Sequence, residues 1–240
     1  MAGSLLIFLA AFCNHMRFSN PAPVVKTDGK AIILDLSTGS RLRGSAVANL
    51  DAEQLGRLID ETMADAGTGF AFGRYAEPRD LYDSDHFASD GAAEKRTVHL
   101  GLDLFCVAGT PVFAPLAGKV ELLANNARKL DYGPMVVLRH ESDSDEPFFM
   151  LYGHLGMEVL DRVQAGQAVN AGQQIATIGS PPQNGDWPPH LHFQLILDLK
   201  DLGVDFPGVA CKSQQEYWLG LSPSPAAFFP ECAPEALEYS

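Results

Sequence analysis

Basic residues are scarce in this 240-residue chain: 17 Lys and Arg stand against 30 Asp and Glu, for a formal net charge of −13. Nucleic acids and anionic surfaces bind the opposite balance, so neither is expected as a partner. Cysteine is sparse too, with only Cys13, Cys106, Cys211 and Cys232 and no CxxC pair. That spacing gives neither a zinc knuckle nor a disulfide framework, and the four are expected to be reduced. No apolar run reaches membrane-spanning length, so no stable membrane insertion is expected. The run at residues 4–12 has the length of the apolar part of an export signal. Yet no Lys or Arg precedes it, and Phe12 stands before Cys13 where a lipoprotein cleavage site wants a small residue. A buried first element suits the run as well.

What the chain does have is a hydrophobic content of 46%, enough for a real core at this length, punctuated by 22 Gly and 16 Pro. Residues 31–36 read as a strand followed by turn material at 37–40. A helix is expected over 51–66, where Leu55, Leu58, Ile59 and Met63 recur at helical spacing. Asp51 or Asn49 suits its cap and Gly67 its stop. Residues 69–90 read as loop, a packed connection carrying Arg74, Tyr75, Glu77, Arg79 and Tyr82. From Thr97 on, short strands are expected at 98–105, 111–114, 119–123, 135–140, 148–155, 173–178 and 190–197. After residue 199 the β pattern fades into Pro-spaced sequence. The predicted architecture is mainly β: a compact antiparallel β-sandwich or barrel with an N-terminal α/β extension. Three parts follow: an extension at 1–94 packing on the core, the core at 95–199, and a wrap or linker at 200–240. Two Gly-punctuated segments, 108–120 and 165–178, echo each other weakly, as in barrels of the biotinyl/lipoyl and duplicated hybrid-motif type.

The chemistry gathers in three stretches. Pro188-Pro189 forces extended backbone into a strand in which Leu191, Phe193 and Leu195 alternate with His190, His192 and Gln194. His190 and His192 therefore leave the same face, as half a metal site or as a ligand beside a base. Alone, they suit two surface histidines equally well. His99 and Asp103 lie four apart in a predicted strand, on one face, with Gly101 bare between them. One imidazole, one carboxylate and a further imidazole from His190 or His192 make a zinc triad with an open fourth position. A surface hydrogen-bonded pair explains His99 and Asp103 otherwise. His154, after Gly153 at the end of an apolar strand, suits a base or oxyanion stabiliser beside a metal. As an isolated residue it suits a structural role.

Together these stretches resemble the M23 family of zinc metallopeptidases, the lysostaphin- and LytM-type peptidoglycan endopeptidases. The resemblance runs through His99-Leu-Gly-Leu-Asp103, Gly109-Thr-Pro-Val, Gly118-Lys-Val, Tyr132-Gly-Pro-Met-Val-Val, Tyr152-Gly-His154-Leu, Val169-x-Ala-Gly-Gln and His190-Leu-His192-Phe, in the family's order over about residues 95–198. It implies that His99, Asp103 and His192 bind Zn2+, and that His154 and His190 are the catalytic histidines. It implies a peptide substrate, in peptidoglycan cross-links or related Gly- or D-Ala-containing peptides. All five positions are filled. A non-catalytic M23-like binding or regulatory module is the alternative, and a hybrid-motif phosphocarrier is disfavoured by Asp103. Some family members hold the metal shut with an upstream Asn, and Asn14, Asn20 and Asn49 lie upstream without a matching motif. The acids of residues 143–146 stand in an expected hairpin near the groove, which is unusual for an enzyme acting on cell walls. Residues 73–82 and 96–105 are similar to a subgroup in which the domain lies between phosphotransferase-like and aminotransferase domains. That likeness implies a cytoplasmic piece of a multidomain protein, where the N-terminal run implies export.

Overall fold

Alternation of apolar and polar residues gives the middle of this chain its long strands. The computed structural model describes residues 20–27, 29–82, 94–142 and 146–240. Strand β1 (Ile32–Leu34) leads to a small ribbon, β2 (Arg41–Leu42) and β3 (Ser45–Ala46), and then to helix α1 (Ala52–Asp65). Next come β4 (Phe70–Gly73), β5 (Arg96–His99), β6 (Leu102–Cys106) and β7 (Pro111–Phe113). The long strands β8 (Gly118–Asn126), β9 (Gly133–Glu141) and β10 (Pro147–Gly153) follow. A single-turn helix α2 (Val159–Arg162) precedes β11 (Ala168–Val169), β12 (Gln174–Thr177) and β13 (His190–Ile196). Last are β14 (Val209–Cys211), α3 (Gln215–Leu221) and α4 (Pro234–Leu237).

The molecule is mainly β. Eight strands form one sheet in the order β1-β4-β6-β13-β10-β9-β8-β11, antiparallel except where β1 runs parallel to β4. One face sends Phe72, Leu102, Leu104, Met150, Tyr152, Leu191 and Phe193 into the principal core, where Val112 of β7 and Ile175 of β12 meet them. Burying such side chains is worth about 1.5–3 kcal/mol each, which makes this face the main source of stability. The two echoing segments meet in space, β7 pairing with β12 and β8 with β11.

The other face carries the candidate site residues, because side chains alternate along each strand. Register aligns Gly73, Asp103, His192 and Gly153 in one row across β4, β6, β13 and β10. Glycine is required at both ends of that row. A Cβ on Gly73 would lie 2.6 Å from Arg79 Nη2, and one on Gly153 would lie 2.8 Å from Tyr132 Cδ1. Helix α1 covers the β1–β4 edge, burying Leu55, Leu58, Ile59 and Met63 with Leu34, Leu36, Ala71 and Phe105. Its start is a capping box: Asp51 accepts from the Gln54 amide at 2.8 Å, and Gln54 Oε1 accepts from the Asp51 amide at 3.1 Å.

Three expectations need correction. Residues 69–90 are not all loop, since β4 sits inside the main sheet between β1 and β6. Its four residues are all buried, so no alternation marks them. The stretch 98–105 is not one strand. It breaks after His99 into β5 and β6, because Gly101 passes within 2.7 Å of His192 Cε1 and 2.8 Å of the Phe193 carbonyl, measured from where its Cβ would stand. The β pattern also does not end at residue 199: β14 pairs with β5, with Phe206, Phe228 and Phe229 buried around it in the chain. Residues 4–13, Asn14 and 143–145 lie outside the described residues, so the N-terminal run and most of the acidic hairpin carry no structural statement.

Candidate metal centre

Three donor atoms converge at the middle of the glycine-flanked row. His99 Nε2 and His192 Nδ1 each lie 3.2 Å from Asp103 Oδ1, and the two ring nitrogens are 3.0 Å apart. All three residues are buried, and among the described residues they form the one His/Cys/Asp/Glu group placed to hold a metal ion. The opposite nitrogen of each ring is committed. His99 Nδ1 donates to the Arg74 carbonyl at 2.9 Å, and His192 Nε2 donates to Gln194 Oε1 at 2.9 Å. Gln194 is oriented by its own amide, which donates to the Pro207 carbonyl and to Ser222 Oγ. Oxygens that only accept fix the tautomers, so His99 Nε2 and His192 Nδ1 both present lone pairs.

Two lone pairs and a carboxylate oxygen thus face one another at 3.0–3.2 Å with no proton between them. Such an arrangement is repulsive unless a cation fills it. Burial pushes the His99 imidazole down to about 4, the Arg79 cation adding to the effect and Asp103 opposing it. Burial works against an ionised Asp103, but the Arg79 cation paired to its Oδ2 helps hold its carboxyl well below the usual range. Neutral imidazoles with an ionised carboxylate are the protonation state a cation requires.

His154 and His190 stand beside this triangle. His190 Nδ1 donates to the Pro188 carbonyl at 2.7 Å, and its Nε2 lies 3.7 Å from Asp103 Oδ1. His154 follows β10 with a φ of 61° and donates from Nδ1 to the Asn184 carbonyl at 2.9 Å. The two ring centroids are 4.4 Å apart, and His190 stacks on Phe105 at 4.9 Å. Burial lowers His190 and pushes His154 well below the usual imidazole range, so both are neutral bases at pH 7. The five residues line one cavity of about 620 Å3, which Arg79, Trp187 and Phe206 also border.

All five residues singled out in the sequence therefore share one cavity. Sequence reasoning missed Arg79, whose Nη1 donates to Asp103 Oδ2 at 2.6 Å, and Gln194. Gln194 was within reach, lying on the strand face of His190 and His192 two residues further on. Arg79 had no local signal, since it acts across 24 residues from a stretch read as loop. Asn20 and Asn49 do not line the cavity.

Comparison with known proteins adds the following. Residues 97–203 match the model of peptidase family M23. An uncharacterized lipoprotein, YgeR of Escherichia coli K12, is 35% identical over 95 residues, covering 40% of this chain and 33% of its own. An uncharacterized metalloprotease of Haemophilus influenzae is 31% identical over 161 residues, covering 65% of this chain and 31% of its own. The chain thus spans about a third of the length of the curated relatives it matches. The crystal structure of a zinc containing peptidase from Vibrio cholerae is 28% identical and covers 45% of this chain and 30% of that one, with a TM-score of 0.34. No helix among the described residues is long and apolar enough to cross a membrane.

Proposed function

We propose that this chain, whose residues 97–203 match the model of peptidase family M23, is a zinc-dependent metalloendopeptidase acting on peptide bonds. Its substrates are peptidoglycan cross-links or related Gly- and D-Ala-containing peptides. The observation that carries the reading is the triangle of His99 Nε2, Asp103 Oδ1 and His192 Nδ1, three acceptor atoms facing one another at 3.0–3.2 Å. Those separations suit zinc. Bonds of about 2.0–2.1 Å in a tetrahedron place ligand atoms about 3.3 Å apart. Two neutral imidazoles and one carboxylate also match a catalytic donor set, with the fourth position left for water or substrate. When bound, zinc supplies Lewis acidity to a water and to the scissile carbonyl.

The proton work falls to His154 and His190. Each spends Nδ1–H on a backbone carbonyl, so each brings Nε2 to the reaction as a base. After taking up a proton, the same nitrogen becomes a donor to a developing oxyanion or to the leaving amine. A binding module without turnover would be favoured by a missing ligand or base, and all five residues are present. The test incubates the zinc-supplemented chain with purified sacculi and with tri- to pentapeptides, and identifies products by mass spectrometry. New termini at Gly or D-Ala links are expected. Stoichiometric zinc without cleavage would leave a binding module, and a chain that takes up no zinc would overturn the metal assignment itself.

A further inference from the structure

We infer that residues 74–79, which precede the residues matched to the family, form the outer shell of the metal centre and position two of its three ligands. The inference rests on the zinc reading above. Arg79 donates from Nη1 to Asp103 Oδ2 at 2.6 Å, leaving Oδ1 for the ion. The Arg74 carbonyl fixes the tautomer of His99. One turn of chain therefore sets which oxygen of Asp103 and which nitrogen of His99 face the ion.

The turn is itself held firmly. Arg79 Nε donates to Glu77 Oε2 at 2.8 Å, and Glu77 Oε1 accepts from Arg74 Nε at 2.9 Å and Nη2 at 2.8 Å. The Ala76 and Arg79 amides donate to the His99 and Thr97 carbonyls, and the His99 amide donates back to the Glu77 carbonyl. Arg79 is 2% exposed and Glu77 is fully buried. Burying such a pair usually gains no stability over apolar residues of the same volume. Its value lies in geometry, because a guanidinium fork grips a carboxylate oxygen in a fixed direction. The ion pairs join Arg74 and Arg79 to Asp35, Glu77 and Asp103, two cations to three carboxylates, so an arriving dication meets a cluster with a net negative charge rather than a bare guanidinium.

The experiment uses the full chain with Arg79→Lys or Glu77→Gln. Two properties are read: the zinc dissociation constant, by competition with a chromophoric chelator, and the visible spectrum of the cobalt-loaded protein. Phe228→Leu, in the core behind the sheet, supplies a control destabilised without touching the site. Positioning predicts zinc binding weakened by about 10- to 100-fold in both variants, with altered cobalt bands. The control should keep wild-type affinity whatever its thermal midpoint. Wild-type affinity and cobalt bands in the folded variants would overturn the inference, as would tighter zinc binding in either of them. Where Arg79→Lys does not fold, Glu77→Gln, an isosteric change, decides. If the wild-type chain itself binds no zinc, the metal reading falls first, an outcome distinct from wild-type binding that the variants leave unchanged.

Discussion

At Gly101 the absence of a side chain governs how close His192 can come to His99. A Cβ there would stand 2.7 Å from His192 Cε1, 2.9 Å from its Nε2 and 2.8 Å from the Phe193 carbonyl. The carbonyl belongs to a central strand and cannot yield, so Gly101→Ala should displace His192 and weaken zinc binding by at least about 10-fold, as loss of ligand support does elsewhere. Zinc titration checks this, and unchanged affinity would show that the row tolerates a wider spacing. A second contrast separates ligand from base on one strand. His192→Ala should lose the metal, whereas His190→Ala should keep it and lose turnover by about 10²-fold or more. Equal metal loss in the two would mean that both rings bind. The chemistry-bearing side chains were visible in the sequence because residue type and two-residue spacing are enough to place His190 and His192 on one face. Their orientation was not visible. It depends on carbonyls of Arg74, Asn184 and Pro188 and on Arg79, groups whose approach is decided by tertiary packing.

Among the elements, α1 was legible from sequence and β4 and β14 were not, for one physical reason. A helix on a sheet edge keeps one wet face, so Leu55, Leu58, Ile59 and Met63 stand out at helical spacing. β4 and β14 are short and buried throughout, so nothing in them alternates. The break between β5 and β6 was hidden too, since the crossing at Gly101 answers a contact with β13 that is remote in sequence. Helix α1 also offers a local test of stability apart from chemistry. Asp51→Ala removes the acceptor for the Gln54 amide and should cost about 1 kcal/mol in urea unfolding. Zinc affinity should stay as in wild type, because Asp51 lies outside the cavity. A loss of affinity would show that α1 transmits strain to the site.

For the whole molecule, buried neutral histidines make stability a function of pH. Burial lowers His190, pushes His154 well below the usual range and takes His99 to about 4. Burial lowers His140 as well, on the far side of the sheet, where it stacks on Phe148 and donates to the Ala117 carbonyl. The sign follows from linkage. An unfolded imidazole titrates near ~6.5, so between that value and the lower folded one the unfolded chain binds more protons. The contribution is whole above pH ~6.5 and is lost as pH falls, for His99 down to about 4. Metal-free chain should therefore lose several degrees of thermal midpoint between pH 7.5 and pH 5, since 1 kcal/mol moves a domain of this size by about 2–4 °C. Zinc changes the curve in a defined way. It binds only deprotonated ligands and only the folded chain, so it should raise the midpoint at pH 7.5 and lose that advantage as pH falls through about 4, where His99 takes up its proton. Calorimetry with and without chelator from pH 7.5 down through about 4 reads both effects. A metal-free midpoint that stays level in acid would contradict neutral burial of these rings. A zinc-induced rise that persists undiminished once pH has fallen below about 4 would mean that the ion is not held by His99.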